Sequence, residues 1–129
     1  MKIQFLNVDL EIENYQSLQP IVEDFGDAAI NLYSGKAHGH YLATFEAPHT
    51  ADVDSIISYF CNLVESLSGE AKILWETAFT RVFDIGFESG TETRSYLTEI
   101  RSETIKRLAT LGASVRVTIY SPPPHQNSL

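Results

Sequence analysis

Thr80 to Glu88, T-R-V-F-D-I-G-F-E, is the stretch from which the rest of the chain can be placed. Phe83, Ile85 and Phe87 fall on one side of an extended strand, and Val82, Asp84 and Glu88 on the other, with a gap at Gly86. A side-chain period of two over so short a run, rich in aromatic and β-branched residues, marks a strand with one buried face. Asp84, at its middle, is the one charge that the pattern does not demand.

That strand needs a cover, and residues 52–67 supply the clearest one. Val53, Ile56, Ile57, Phe60, Leu63, Val64 and Leu67 recur as an apolar stripe, while Asp54, Ser55, Ser58, Asn62, Glu65 and Ser66 take the other side. Thr50 or Asp52 can cap this helix, and Ser68-Gly69 ends it. The stripe is expected to pack by Phe60 and its neighbours on the face carrying Phe83. Between helix and strand, residues 70–79 fit either period. Their alanine, glutamate and lysine content favours a short helix.

Upstream, residues 3–13 alternate, with Leu6, Val8, Leu10 and Ile12 opposite Asn7, Asp9, Glu11 and Glu13, as in a long half-buried strand. Leu18, Ile21, Val22 and Phe25 then take helical spacing, with Pro20 in the first turn and Gly26 as the stop. Ala28–Tyr33 and His40–Glu46 read as two strands around the polar connection S-G-K-A-H-G, residues 34–39. Downstream, Gly90 marks a turn, and residues 96–100 read equally as extended chain or the start of a helix. Ser102 is the expected N-cap of a helix whose Ile105, Leu108 and Ala109 face inward. Residues 113–120 alternate, Val115, Val117 and Ile119 inward against Arg116, Thr118 and Tyr120. The prolines at 122–124 stop further pairing, so 1–121 reads as a single domain and 122–129 as a flexible tail.

The element order β-α-β-β-α-β-α-β implies an α+β fold. Alternating strands favour a largely antiparallel sheet with helices on one face, a ferredoxin-like βαββαβ with an added αβ.

The chain has 129 residues, a hydrophobic share of 43% and a net charge of −8. This is long enough to bury a core without staples. No apolar run reaches the roughly 20 residues of a membrane helix, and the N-terminus is too short in its apolar part for a signal peptide. Cys61 is the single cysteine, which favours a reducing cytoplasm. Net acidity argues against nucleic acid. The charge is also uneven: residues 1–93 hold four Lys/Arg and fifteen Asp/Glu, and residues 94–129 hold five and two. Such polarity suits a basic protein partner or a homodimer, acidic region against basic region.

Chemistry-bearing patterns are few. His38 and His40, two apart in a strand, with His49 or Glu46 as a third ligand, are weak candidates for zinc, against the plainer reading of loop histidines. No metal, cofactor or catalytic group is expected. There is no G-x-S-x-G and no phosphate-binding glycine loop, and Cys61 lies beside the apolar stripe of a helix, where a structural thiol is the simpler reading. Asp84 and Arg81 point to opposite faces of their strand, so Asp84 is expected to meet a base such as Arg116 across the sheet. Alternatively it anchors a ligand in a groove that Gly86 opens to the backbone. Trp75, Tyr59 and Tyr120 are the aromatics expected to be partly exposed. Arg81, Asp84, Trp75 and Tyr120 are therefore the candidate ligand or partner residues.

Two segments carry a resemblance: L-W-E-T-A-F-T-R-V-F-D-I-G-F-E (74–88) and S-E-T-I-K-R-L-A-T-L-G-A-S-V-R-V-T-I-Y (102–120). Over about residues 73–122 the chain resembles small bacterial domains of unknown function that end in a helix, L-G-A-S and a strand closing in T-I-Y-P. Some of these look similar to immunity proteins of bacterial toxin systems, which are small, acidic and intracellular. The resemblance implies a cytoplasmic, non-enzymatic, protein-binding or inhibitory factor and supplies no site residues. The alternatives are a small-molecule-binding ferredoxin-like module acting as a dimer, and an enzyme with no recognisable motif.

Overall fold

The alternation near the N-terminus resolves, in a computed structural model that describes residues 2–92 and 94–122, as β1 (Gln4–Asn14), the middle strand of the molecule. After it come α1 (Gln19–Phe25), a single 3-10 turn, β2 (Ile30–Ala37), β3 (His40–Glu46), α2 (Val53–Glu65), α3 (Gly69–Thr77), β4 (Thr80–Glu88), α4 (Ser102–Leu111) and β5 (Ser114–Tyr120). The fold is α+β. Its five strands form one mixed, mostly antiparallel sheet in the order β2-β3-β1-β4-β5, in which only the β4–β5 pair is parallel.

Register gathers the apolar residues onto one side. Leu10 lies between Phe45 of β3 and Phe83 of β4, and Ile12 opposite Ala43. Those residues, with Val8, Ile85 and Phe87, form the sheet's part of the core. The helices close it with Ile21 and Phe25 of α1, Ile56, Ile57, Phe60 and Val64 of α2, Leu74 and Trp75 of α3, and Leu108 of α4. The expected packing of α2 on β4 is borne out: the Phe60 and Phe83 rings lie 5.9 Å apart, and both side chains are fully buried. The Asp52 side chain accepts from the Ser55 N–H at 2.8 Å and caps α2. Asn14, at the end of β1, is buried, and its amide donates to the Leu74 carbonyl and the Thr77 hydroxyl, tying α3 to the sheet.

Several expectations are corrected. The connection between β2 and β3 is only His38-Gly39, both with positive φ (54° and 87°), because a two-residue hairpin turn needs the left-handed region twice. The preceding four residues of S-G-K-A-H-G therefore pair as strand. Residues 96–100 form neither strand nor helix. Ser102 is the first residue of α4 rather than its cap, and Arg101 holds the cap position without a side-chain bond. On α4, Thr104 and Leu108 are buried, whereas Ile105 is 53% exposed and Ala109 is exposed too. On β5, Val115, Val117 and Ile119 do share the core side of the sheet, yet they are 42%, 55% and 65% exposed, because no helix among the described residues fully covers them. Trp75, expected to be partly exposed, is buried. The tail from 122 onward lies, apart from Pro122, outside the described residues. Among the described residues no helix is long and apolar enough to cross a membrane.

Candidate functional site

Helices cover one side of the sheet, and its other side carries a belt of carboxylates. The belt follows from register. Asp9 on β1 lies directly opposite Glu46 on β3 and Asp84 on β4, and Asp84 in turn lies opposite Arg116 on β5. Glu11 and Glu13 follow Asp9 on the same side of β1. Like charges directly opposite each other destabilise a sheet, so this row is there at a cost to folding.

Partners are distributed unequally along it. The Arg116 guanidinium donates to Glu11 at 2.9 Å and to Asp84 at 3.4 Å. The Thr118 hydroxyl donates to Asp84 at 2.7 Å, and the Asn7 amide to Glu46 at 2.7 Å. Asp9 alone is left over: its Oδ1 is shielded from solvent and has no hydrogen-bond partner. Burial, and then the charges of Glu46, Asp84 and Glu11, push its carboxyl up from 3.8 to about 6. Further along, His40 lies 2.5 Å from the Glu13 carboxylate, and its ring meets Phe79 at 5.0 Å. Burial acts to raise the Glu13 carboxyl, but hydrogen bonds with Thr80 and His40 outweigh it and hold it below the ordinary value.

Beside Glu46 the belt ends in a half-open groove of about 370 Å³, lined mainly by apolar residues that include Phe5, Leu6, Ile30 and Ile56, with Asn7, Glu46 and His49 as polar members. Its size is within the range of small-ligand sites.

The four candidate residues do not form one site. Asp84 meets Arg116, as expected for a cross-strand ion pair, and Tyr120 lies on the same side of the sheet near its edge. Arg81 and Trp75 are elsewhere and structural. The Arg81 guanidinium donates to the carbonyls of Trp75, Glu76 and Gly112 at 2.9, 3.2 and 3.0 Å. The Trp75 indole N–H donates to Leu111 at 3.0 Å. Together they tie the end of α3 to the α4–β5 turn. Gly86 opens no groove: a Cβ there would lie 3.4 Å from the Asn7 Oδ1 and 3.7 Å from the Tyr120 ring, which already cover it.

The histidines are also separate. His38 is in the hairpin turn, His40 is held by Glu13, and the His49 ring meets Tyr59 edge-to-face at 4.7 Å. Among the described residues no group of three or more His, Cys, Asp or Glu side chains is placed to hold a metal ion. Zinc is therefore expected to leave the thermal midpoint unchanged. A rise that disappears in His40→Ala would restore the metal site. Cys61 is buried, and burial pushes its thiol up, away from reactivity.

Asp9 and Glu11 are members of the belt that the sequence did not mark as site residues, and Glu46 was marked only as a possible zinc ligand. Their signal was present in the alternation of β1, whose polar side reads Asn7, Asp9, Glu11, Glu13. The charges expected to join two copies also meet within one: Arg116 with Glu11 and Asp84, and Arg107 on α4 with Glu65 of α2 at 2.8 Å. No family model, curated protein or solved structure matches the chain.

Proposed function

We propose that the chain is a non-enzymatic protein-binding domain, an inhibitory factor of the immunity type acting in the cytoplasm, and that it meets a basic protein with the open acidic side of its sheet. One observation carries this reading: Asp9 is set between Glu46 and Asp84 with an oxygen that nothing satisfies. A partner's cations set against this crowding would relieve it and orient the complex, which supports the reading. In this reading the first four strands, with α1 to α3, are a ferredoxin-like βαββαβ, to which α4 and β5 add the flank that carries Arg116. The order β2-β3-β1-β4 with antiparallel neighbours supports that description.

The test compares the wild type with the neutral triple variant Asp9→Asn, Glu46→Gln, Asp84→Asn, both immobilised and exposed to one cell extract at low and high salt. The wild type is expected to retain a basic protein at low salt only, and the variant to retain none. Equal retention by both proteins rejects the acidic side as the binding surface.

A second reading rests on the groove beside Glu46, which suits a small ligand with an apolar body and a cationic or hydrogen-bonding end. If neither protein retains a partner, this reading replaces the first.

A further inference from the structure

The two edges of the sheet are built differently. Strand β2 departs from regular pairing: its register with β3 shifts between Asn31 and Tyr33, and Gly35 and Lys36 follow. Such a bulge with a nearby lysine is how native edges resist pairing with other chains. Strand β5 has none of these guards. It runs in unbroken register with β4 from Ser114 to Tyr120, without proline, glycine or bulge. Its one charge, Arg116, is folded over the acidic side onto Glu11 and Asp84 and does not project past the edge.

The direction of the free backbone groups can be read from one bond. The Tyr120 carbonyl accepts from the Ser89 N–H at 2.8 Å, so Tyr120 turns its backbone groups towards β4. Backbone groups along a strand alternate between its two neighbours, so those of Val115, Val117 and Ile119 point outward. These are the same three residues whose side chains are left about half or more exposed on the core side. Ile105, 53% exposed, lies about 160° around α4 from Arg107, which reaches α2, and therefore on the flank of α4 turned away from α2.

We infer that β5 pairs antiparallel with β5 of a second copy, about a two-fold axis at Val117. In that register Val117 faces its own counterpart, Val115 faces Ile119 of the other copy, and Arg116 faces Thr118. The outward backbone groups of Val115, Val117 and Ile119 then satisfy each other, the apolar row becomes continuous, and no like charges are opposed. A row that is complementary to itself in this way is what a two-fold interface requires. This selects a second copy over an unrelated strand. The inference is independent of the acidic side, which remains open in the dimer. A single strand pair buries less than the standard interface of about 1,600 Å², so the dimer is expected to dissociate on dilution below the micromolar range.

Sedimentation velocity across that range tests the pairing. The wild type is expected to be a dimer at high micromolar concentration in both low and high salt, because backbone bonds and apolar contact hold it. Val117→Lys, which changes an exposed side chain and should leave the far-UV circular dichroism intact, is expected to be a monomer. Val117→Cys is expected to oxidise to a covalent dimer, since paired antiparallel residues of this kind have Cα atoms about 5.5 Å apart, within disulfide reach. Leu32→Cys on the other edge is the control and is expected not to cross-link. A wild type that stays monomeric, a dimer lost in salt, or a dimer that survives Val117→Lys overturns the inference. So does cross-linking through Leu32→Cys in place of Val117→Cys.

Discussion

Phe60→Asp is expected to leave no cooperative unfolding transition by circular dichroism or calorimetry. Phe60 is fully buried, and its ring lies 5.9 Å from Phe83 and 6.0 Å from Tyr59, so it joins α2 to the centre of the sheet. Removing the ring alone, as in Phe60→Ala, costs about 3–5 kcal/mol. Domains of this size have roughly 5–15 kcal/mol in total. The aspartate adds a carboxyl with no partner in an apolar site, which costs several kcal/mol more whether it ionises or stays protonated. A cooperative transition in Phe60→Asp within a few degrees of the wild type would show that α2 does not hold the fold together.

The second large effect runs the other way. Asp9→Asn is expected to stabilise the protein at neutral pH and to leave it unchanged in acid. A carboxyl whose pKa is raised on folding favours the folded state while it is protonated and loses that contribution as pH rises through the folded value. For Asp9 the window runs from 3.8 to about 6. At full strength such a shift is worth about 3 kcal/mol, and about 1–2 kcal/mol once solvent screening of this partly exposed surface is allowed for. Denaturant titrations of both proteins at a series of pH values measure the difference. It should be near zero below pH 4 and reach its plateau above pH 6. Taking the difference removes the opposite trend from Glu13, Asp52 and Glu65, whose carboxyls are all lowered on folding. A constant difference at every pH would mean that Asp9 does not titrate in this window. A destabilised Asp9→Asn at pH 7 would contradict the crowding on which the proposed function rests.

What could be read from the amino acids divides along a physical line. Periodicity is local, so α2, β1 and β4 were legible from their apolar spacing, and Thr80–Glu88 is bounded as expected. Period also gave the correct side for Val115, Val117 and Ile119. It could not say whether anything lies over that side, because cover depends on how far the helices extend across the sheet. The helix α4 failed in a related way. Both Thr104 and Ile105 fit its inner arc within one residue, and packing against α2, where Arg107 meets Glu65, buries Thr104.

The acidic belt was hidden for a different reason. Each of its strands looks ordinary alone, with alternating charges on a solvated side. Only register places Asp9 between Glu46 and Asp84, and register is settled by pairings between residues far apart in the chain. Arg81, Asp84 and Trp75 show the converse. They are neighbours in sequence, yet the pleat of β4 sends Arg81 to the α3–α4 seam and Asp84 to the open side.

The central place of β1 has a consequence for how the chain is made. Of the five strands of the sheet, β1 is made first, its two neighbours, β3 and β4, arrive later, and β4 comes only after α3 has been synthesised. Until Phe83 and Ile85 emerge, Leu10 and Val8 lack their partners on β4, and the half-made sheet offers that side of β1 as a bare edge. Closing the sheet around β1 thus waits on synthesis of β4, a pairing of high sequence separation. A growing chain held short of residue 80 would present that edge of β1 to whatever was nearby.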